Sequence, residues 1–114
     1  MSLTDQVTYA PKATKMQRFA VTITGARTLL TDAIKASGWI RVLARGASVQ
    51  VNFGSVTDTI PVMDSVTQAE EGYHVANGTY HDFWITGVDT HILWGADGNG
   101  FVDIYRAGQE RVKT

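Results

Sequence analysis

The sequence contains no cysteine. Disulfides, thiolate metal sites and thiol catalysis are therefore excluded, and a core or a partner must supply the stability that small secreted domains draw from disulfides. Proline is scarce, with two residues in 114. Neither sign of charge is in excess: ten basic residues face eleven acidic ones, for a formal net charge of -1. No global basic field exists to attract nucleic acid, so a nucleic-acid partner is disfavoured. No apolar run approaches the ~20 residues of a membrane-spanning helix, so no membrane partner is expected. The first residues, MSLTDQVTY, lack a basic segment followed by an apolar one, so no secretory signal is expected either. Asn77 opens an NGT sequon, which without such a signal reads as a turn. There is no glycine-rich phosphate loop leading into a helix, and no G-x-S-x-G nucleophile elbow.

What is present is apolar alternation with a period of two. FAVTIT (19–24) places Phe19, Val21 and Ile23 on one face. WIRVLA (39–44) follows, and then SVQVNF (48–53), where Val49, Val51 and Phe53 oppose Gln50 and Asn52. Later runs are YHV (73–75), TYHDFWI (79–85), HILW (91–94) and FVDIY (101–105), rich in the β-branched and aromatic residues that pleated surfaces favour. Turn residues fall between the runs. Asn77-Gly78 and Asp97-Gly98 tolerate the positive φ of tight hairpin turns. About eight short strands with turn signals every eight to twelve residues predict an antiparallel β-sandwich or barrel. Residues 30–37 read as one helical turn or a bent strand, and residues 62–71 as a short helix or a loop crossing between sheets. At this length the chain is one domain. We expect an extended N-terminal arm over 1–17, a sandwich over 18–108 and a charged C-terminal tail over 109–114.

Chemical candidates are few. HDFWITGVDTH (81–91) holds two of the three histidines, and His81, His91 and Asp89 or Asp82 have the residue types of a zinc site. No short ligand spacing accompanies them, so the sequence favours polar strand residues on a hairpin, with His81 and Phe83 on one face and Asp82 and Trp84 on the other. Asp97, Asn99 and Asp103 offer oxygens, but the closing glutamate of a calcium loop is missing, and a tight turn is the better reading. Ser48 and Ser55 lack a flanking motif, and Glu70 and Glu71 lie in the least regular segment, so no hydrolase is expected. Arg41 and Arg106 lie on strands and suggest pairing with carboxylates across a subunit contact. No catalytic residue, metal or cofactor is assigned. Trp39, Trp84 and Trp94 are the main non-core feature: core or interface residues, or a platform for sugar rings.

The order of GARTLLT (25–31), GWIRVLARGA (38–47), VQVNFGS (49–55), ANGTYHDFWI (76–85) and THILWGADGNGFVDIYRAG (90–108) resembles small all-β virion proteins from the structural gene clusters of tailed bacteriophages. The resemblance spans residues 18–108 and rests on strands and turns. It implies a jelly-roll-like sandwich that serves as a capsid cement or decoration protein, made in the host cytoplasm and carried on the virion. It implies the major capsid protein or other virion proteins as partners, a homo-oligomeric state, and no small-molecule substrate. Val7, Tyr9 and Pro11 of the arm, with Trp39, Trp84 and Trp94, are the expected partner contacts. Alternatives are a head–tail or tail accessory protein, or a glycan- or receptor-binding sandwich.

Overall fold

The computed structural model describes residues 7–63 and 72–113, with side chains over 15–63 and 72–106. The elements are β1 (Val7–Val21), β2 (Ala26–Leu29), α1 (Asp32–Lys35), β3 (Gly38–Arg45), β4 (Val49–Gly54), β5 (Tyr73–Val75), β6 (Tyr80–Ile85), β7 (His91–Ala96) and β8 (Gly100–Lys113). Two four-stranded sheets form, in the orders β1-β8-β3-β6 and β2-β7-β4-β5. Every pairing is antiparallel.

The topology has a simple generator. Strands pair as β1·β8, β2·β7, β3·β6 and β4·β5, the rungs of one long hairpin. Rolling that hairpin brings β8 beside β3 and β7 beside β4, which closes the two sheets. This is the jelly roll, an eight-stranded double sheet. The all-β sandwich expected from the alternation is therefore the fold.

The turns do a different job from the one expected. Among the described strands, every connection except β4 to β5 passes from one sheet to the other. The glycine turns are corners, and not hairpins. Gly25, Gly46, Gly78 and Gly87 all carry positive φ, but Gly98 is not among them. A sharp reversal needs the same backbone whether the next strand pairs beside the last or lands on the facing sheet. Residues 81–91 are such a corner: β6 lies in the first sheet and β7 in the second.

The inner faces supply Val21, Ile40, Val42, Ala44, Ile85, Val102 and Ile104 from one sheet. Val49, Val51, Val75, Ile92, Trp94 and Ala96 come from the other, with Leu30 and Ile34 closing one end. Each Val, Ile or Leu so buried contributes about 1.5–3 kcal/mol relative to exposure. Ile23 was grouped with Phe19 and Val21, but it lies in the turn after β1 and is exposed.

The outer faces of the sheets differ. Residues 55–63 run across the outside of the second sheet. Arg27 donates two hydrogen bonds to the Asp58 carbonyl, at 3.0 and 2.8 Å. A Cβ on Gly95 would strike the Pro61 carbonyl, so glycine lets this segment lie flat on β7. Leu93 and Gln50 point outward by register and are buried all the same. The described residues place no such cover over the first sheet.

α1 is held by one side chain. Arg106 reaches back from β8 and donates to the carbonyls of Ala33, Ile34, Ala36, Ser37 and Trp39. These include carbonyls that a helix end leaves without an intrahelical donor. Gly38 makes room: a Cβ there would lie 2.5 Å from Arg106 Nη1. The sequence suggested a subunit-crossing role for Arg106, whereas its carbonyl partners lie within the chain. Arg106→Met keeps the stem and removes the donors. It is expected to lower stability by about 2 kcal/mol in urea denaturation; an unchanged midpoint would show that these contacts contribute nothing net.

Candidate interaction surfaces

Alternation along the strands of the first sheet sends every second side chain outward. Register then builds rows across the face. Met16, Tyr105, Arg41 and Asp82 form one row. Arg18, Asp103, Leu43 and Tyr80 form the next, and Ala20, Phe101 and Arg45 the one beyond. On the other flank Trp39 stands directly opposite Trp84. Five of the exposed large hydrophobic residues occupy this one face: Met16, Trp39, Tyr80, Trp84 and Phe101. Single exposed apolar residues are ordinary, but a cluster on one face marks an interaction surface.

Ion pairs stiffen the face. Arg18 grips Asp103 with two hydrogen bonds, at 2.6 and 2.9 Å, and Arg45 adds a third at 2.6 Å. The Asp103 side chain is 0% exposed although it points outward, because the two guanidinium groups fold over it from the neighbouring strands. Hydrogen bonding from Arg18 first, and then from Arg45, holds its carboxyl below the usual range against the opposing effect of burial. Arg41 forks onto Asp82 through Nε and Nη2 at 2.8 and 3.1 Å. That fork likewise holds the Asp82 carboxyl down. The Arg41 guanidinium also sits 3.9 Å from the Tyr80 ring centroid, and that of Arg18 sits 5.4 Å from Phe101. Arg41 thus pairs within the chain, and not across a subunit contact as expected. Trp39 and Trp84 meet edge to face, 5.6 Å apart at 80°. They are 55% and 58% exposed.

The second surface is the terminal ribbon. β1 and β8 pair without interruption from Val21↔Gly100 outward to Val7↔Lys113, apart from a register shift between Ala13 and Lys15. β3 accompanies β8 only as far as Arg41↔Tyr105. Beyond that level β1 and β8 continue as a two-stranded ribbon. Residues 7–11 pair with 109–113, and residues 12–17 run along 104–108, so β1 and β8 continue through the segments expected as arm and tail. The molecule is 55 Å along its longest axis and 26 and 23 Å across.

The expected contacts fall into three groups. Trp39 and Trp84 come together on the open face. Trp94 does not join them: it is 4% exposed, packs in the core against Phe19, and donates its indole N–H to Thr28 Oγ1 at 2.9 Å. It lies on the second sheet with an inward register, which removes it as a surface contact. Val7, Tyr9 and Pro11 lie on the ribbon opposite Lys113, Arg111 and Gln109; their side chains lie outside the described ones. Tyr80, Phe101 and the two arginine clusters were not anticipated. Their signal was parity: 39, 41, 43 and 45, then 80, 82 and 84, then 101, 103 and 105, carry aromatic, aliphatic or charged residues outward in step.

The histidines build no centre. His81 stacks on Tyr73 at 4.0 Å. His91, on the other sheet, places Nδ1 2.7 Å from Thr90 Oγ1. Among the described residues no group of three or more His, Cys, Asp or Glu is placed to hold a metal ion. Asp97 accepts the Ser48 N–H, and Asp103 is taken by its arginines. Glu70 and Glu71 lie outside the described residues. Comparison with protein-family models, with curated proteins and with solved structures returns no match.

The Asp103 clamp joins β1, β8 and β3 through one carboxylate. Asp103→Asn is expected to lower stability at neutral pH by about 1.5–3 kcal/mol, the range for hydrogen bonds to a charged group. The folded-state pKa is depressed, so this contribution is present above the ordinary carboxylate pKa, 3.8 here, and is lost as pH falls through the folded value. The gap between the two proteins should therefore narrow in acid. Urea titrations at neutral pH and near pH 3 test it, and a gap that stays constant with pH would contradict the clamp.

Proposed function

We propose that this chain is a bacteriophage virion structural protein that binds and reinforces the capsid shell, as cement and decoration proteins do. It works through its surfaces, without catalysis. The resemblance across residues 18–108 supplies the virion context, and the jelly-roll sandwich agrees with it.

The terminal ribbon is the observation that carries this reading. An isolated two-stranded ribbon is marginal in water. Here residues 7–13 and 107–113 continue beyond the last β3·β8 pair, Arg41↔Tyr105, and no described strand pairs with their outer edges. Seven residues at ~3.3 Å each make a ribbon ~23 Å long. A neighbouring protein that supplies a further strand, or an apolar surface, completes the ribbon. The major capsid protein is the proposed partner, with other virion proteins as alternatives, and a second copy of the chain can complete the same edge. Docking of this kind combines backbone pairing with side-chain burial. Val7, Tyr9 and Pro11 are the contacts proposed on it.

The experiment is quantitative mass spectrometry of phage particles purified from the lysate in which the chain is made. The chain is expected at a fixed ratio to the shell protein. Added back to stripped particles, the full chain should bind, and a version lacking residues 1–13 should fold but bind at least about tenfold more weakly. Particles devoid of a chain that is abundant in the lysate would refute the virion role. Equal binding by the shortened version would refute the ribbon as its anchor.

A further inference from the structure

We propose that the open face around Arg41 and Asp82 is a carbohydrate-binding site for an extended polysaccharide of β-linked pyranose rings. The inference goes beyond shell binding and uses a different part of the molecule.

Three features of the face select this ligand. The first is the half-exposed Trp39–Trp84 pair. In an edge-to-face contact one indole spends its edge and the other a single face. The remaining ring faces are free to receive the C–H face of a sugar. The second is the ion pair at the centre. Arg41 and Asp82 side chains are 34% and 44% exposed. A guanidinium carries five N–H donors and a carboxylate about four acceptor sites. The fork between them uses two of each, through Nε and Nη2, and turns Nη1 to the far side. Vicinal hydroxyls both donate and accept, so a diol can bond to both partners at once. An apolar protein surface cannot. The third feature is rigidity. Arg41 is held by the carboxylate on one side and by the Tyr80 ring on another, so little freedom is lost on binding.

The spacing sets the ligand's shape. Tyr80, Asp82 and Trp84 project outward from one strand at alternate positions, from Tyr80 to Trp84 over ~13 Å. The order is ring, hydrogen-bonding pair, ring, along a straight line. That suits a linear chain of flat, equatorially substituted sugars and not a single monosaccharide. Single-stranded nucleic acid also stacks on aromatic faces. However, the Asp82 carboxylate at the centre and the net charge of -1 oppose a phosphate backbone.

The test is affinity electrophoresis of the full chain in gels containing hydroxyethylcellulose, glycol chitin or xylan, followed by calorimetry with the matching hexasaccharide. Retardation is expected in at least one gel. Trp84→Ala and Tyr80→Ala should weaken binding by roughly tenfold or more, with an unchanged thermal midpoint, while Trp84→Phe retains part of it. The version lacking residues 1–13 should bind sugar as the full chain does, and Tyr80→Ala should bind particles as the full chain does, so each reading can fail alone. No retardation in any of these gels would overturn the proposal. So would unchanged affinity in both alanine variants, or tighter binding to a poly(dT) oligonucleotide than to any of the glycans.

Discussion

The pairing of the first strand with the last is the constraint on which the rest of this structure depends. β1·β8 is the longest ladder in the molecule and joins its most distant segments. Within it lie the other rungs, each nested inside the one before. The ladder places Arg18 beside Asp103, and β3 then brings Arg45 to the other side of the same carboxylate. It also carries Arg106 to the end of α1. Removing that rung would leave β3·β6 without a neighbour and the core open along one side.

Period-two alternation was legible because it depends on local facts alone. It located β3 to β7, one end each of β1 and β8, the sandwich and the inward faces of β3 and β4, but β2 (Ala26–Leu29) was not among its runs. Partner choice between strands was not legible. The segment 81–91 has the composition of a hairpin, yet it crosses between sheets, because a glycine with positive φ permits either path. The pairing of residues 7–13 with 107–113 was hidden for a related reason: two segments at opposite ends show no sign of each other until the roll brings them together. Trp94 was misjudged because its alternation is lost inside HILWGA, where a segment outside the sheet buries Leu93 as well. The candidate site was half visible. The outward parity of Trp84 and Asp82 could be read, but Trp39 opposite Trp84, and Arg41 opposite Asp82, are facts of register.

The two surfaces differ in what they ask of a ligand. The ribbon presents backbone groups in an extended line and needs another chain. The open face presents rings and, at its centre, an ion pair whose two charges balance each other. A rigid face with a neutral pair at its centre is compatible with a hydroxyl-bearing ligand. An unfinished ribbon is compatible with assembly. The covered second sheet explains why only one side of the sandwich is available: residues 55–63 already occupy the other, through Gly95 and the Arg27 contacts.

Nesting also has a temporal meaning. A ribosome delivers residues 7–21 early and residues 100–113 some eighty residues later. Until then β1 has no partner, and the first sheet holds only its β3·β6 pair. Among the described strands, only β4 and β5 are both neighbours in the chain and partners in a sheet. Distant contacts of this kind form slowly, because the loop must close before the contact can stabilise it. The first sheet therefore cannot close as the chain emerges. The chain must stay unaggregated with its strands exposed until the last one arrives. The lysine and arginine residues of its opening strand, Lys12, Lys15 and Arg18, suit that wait.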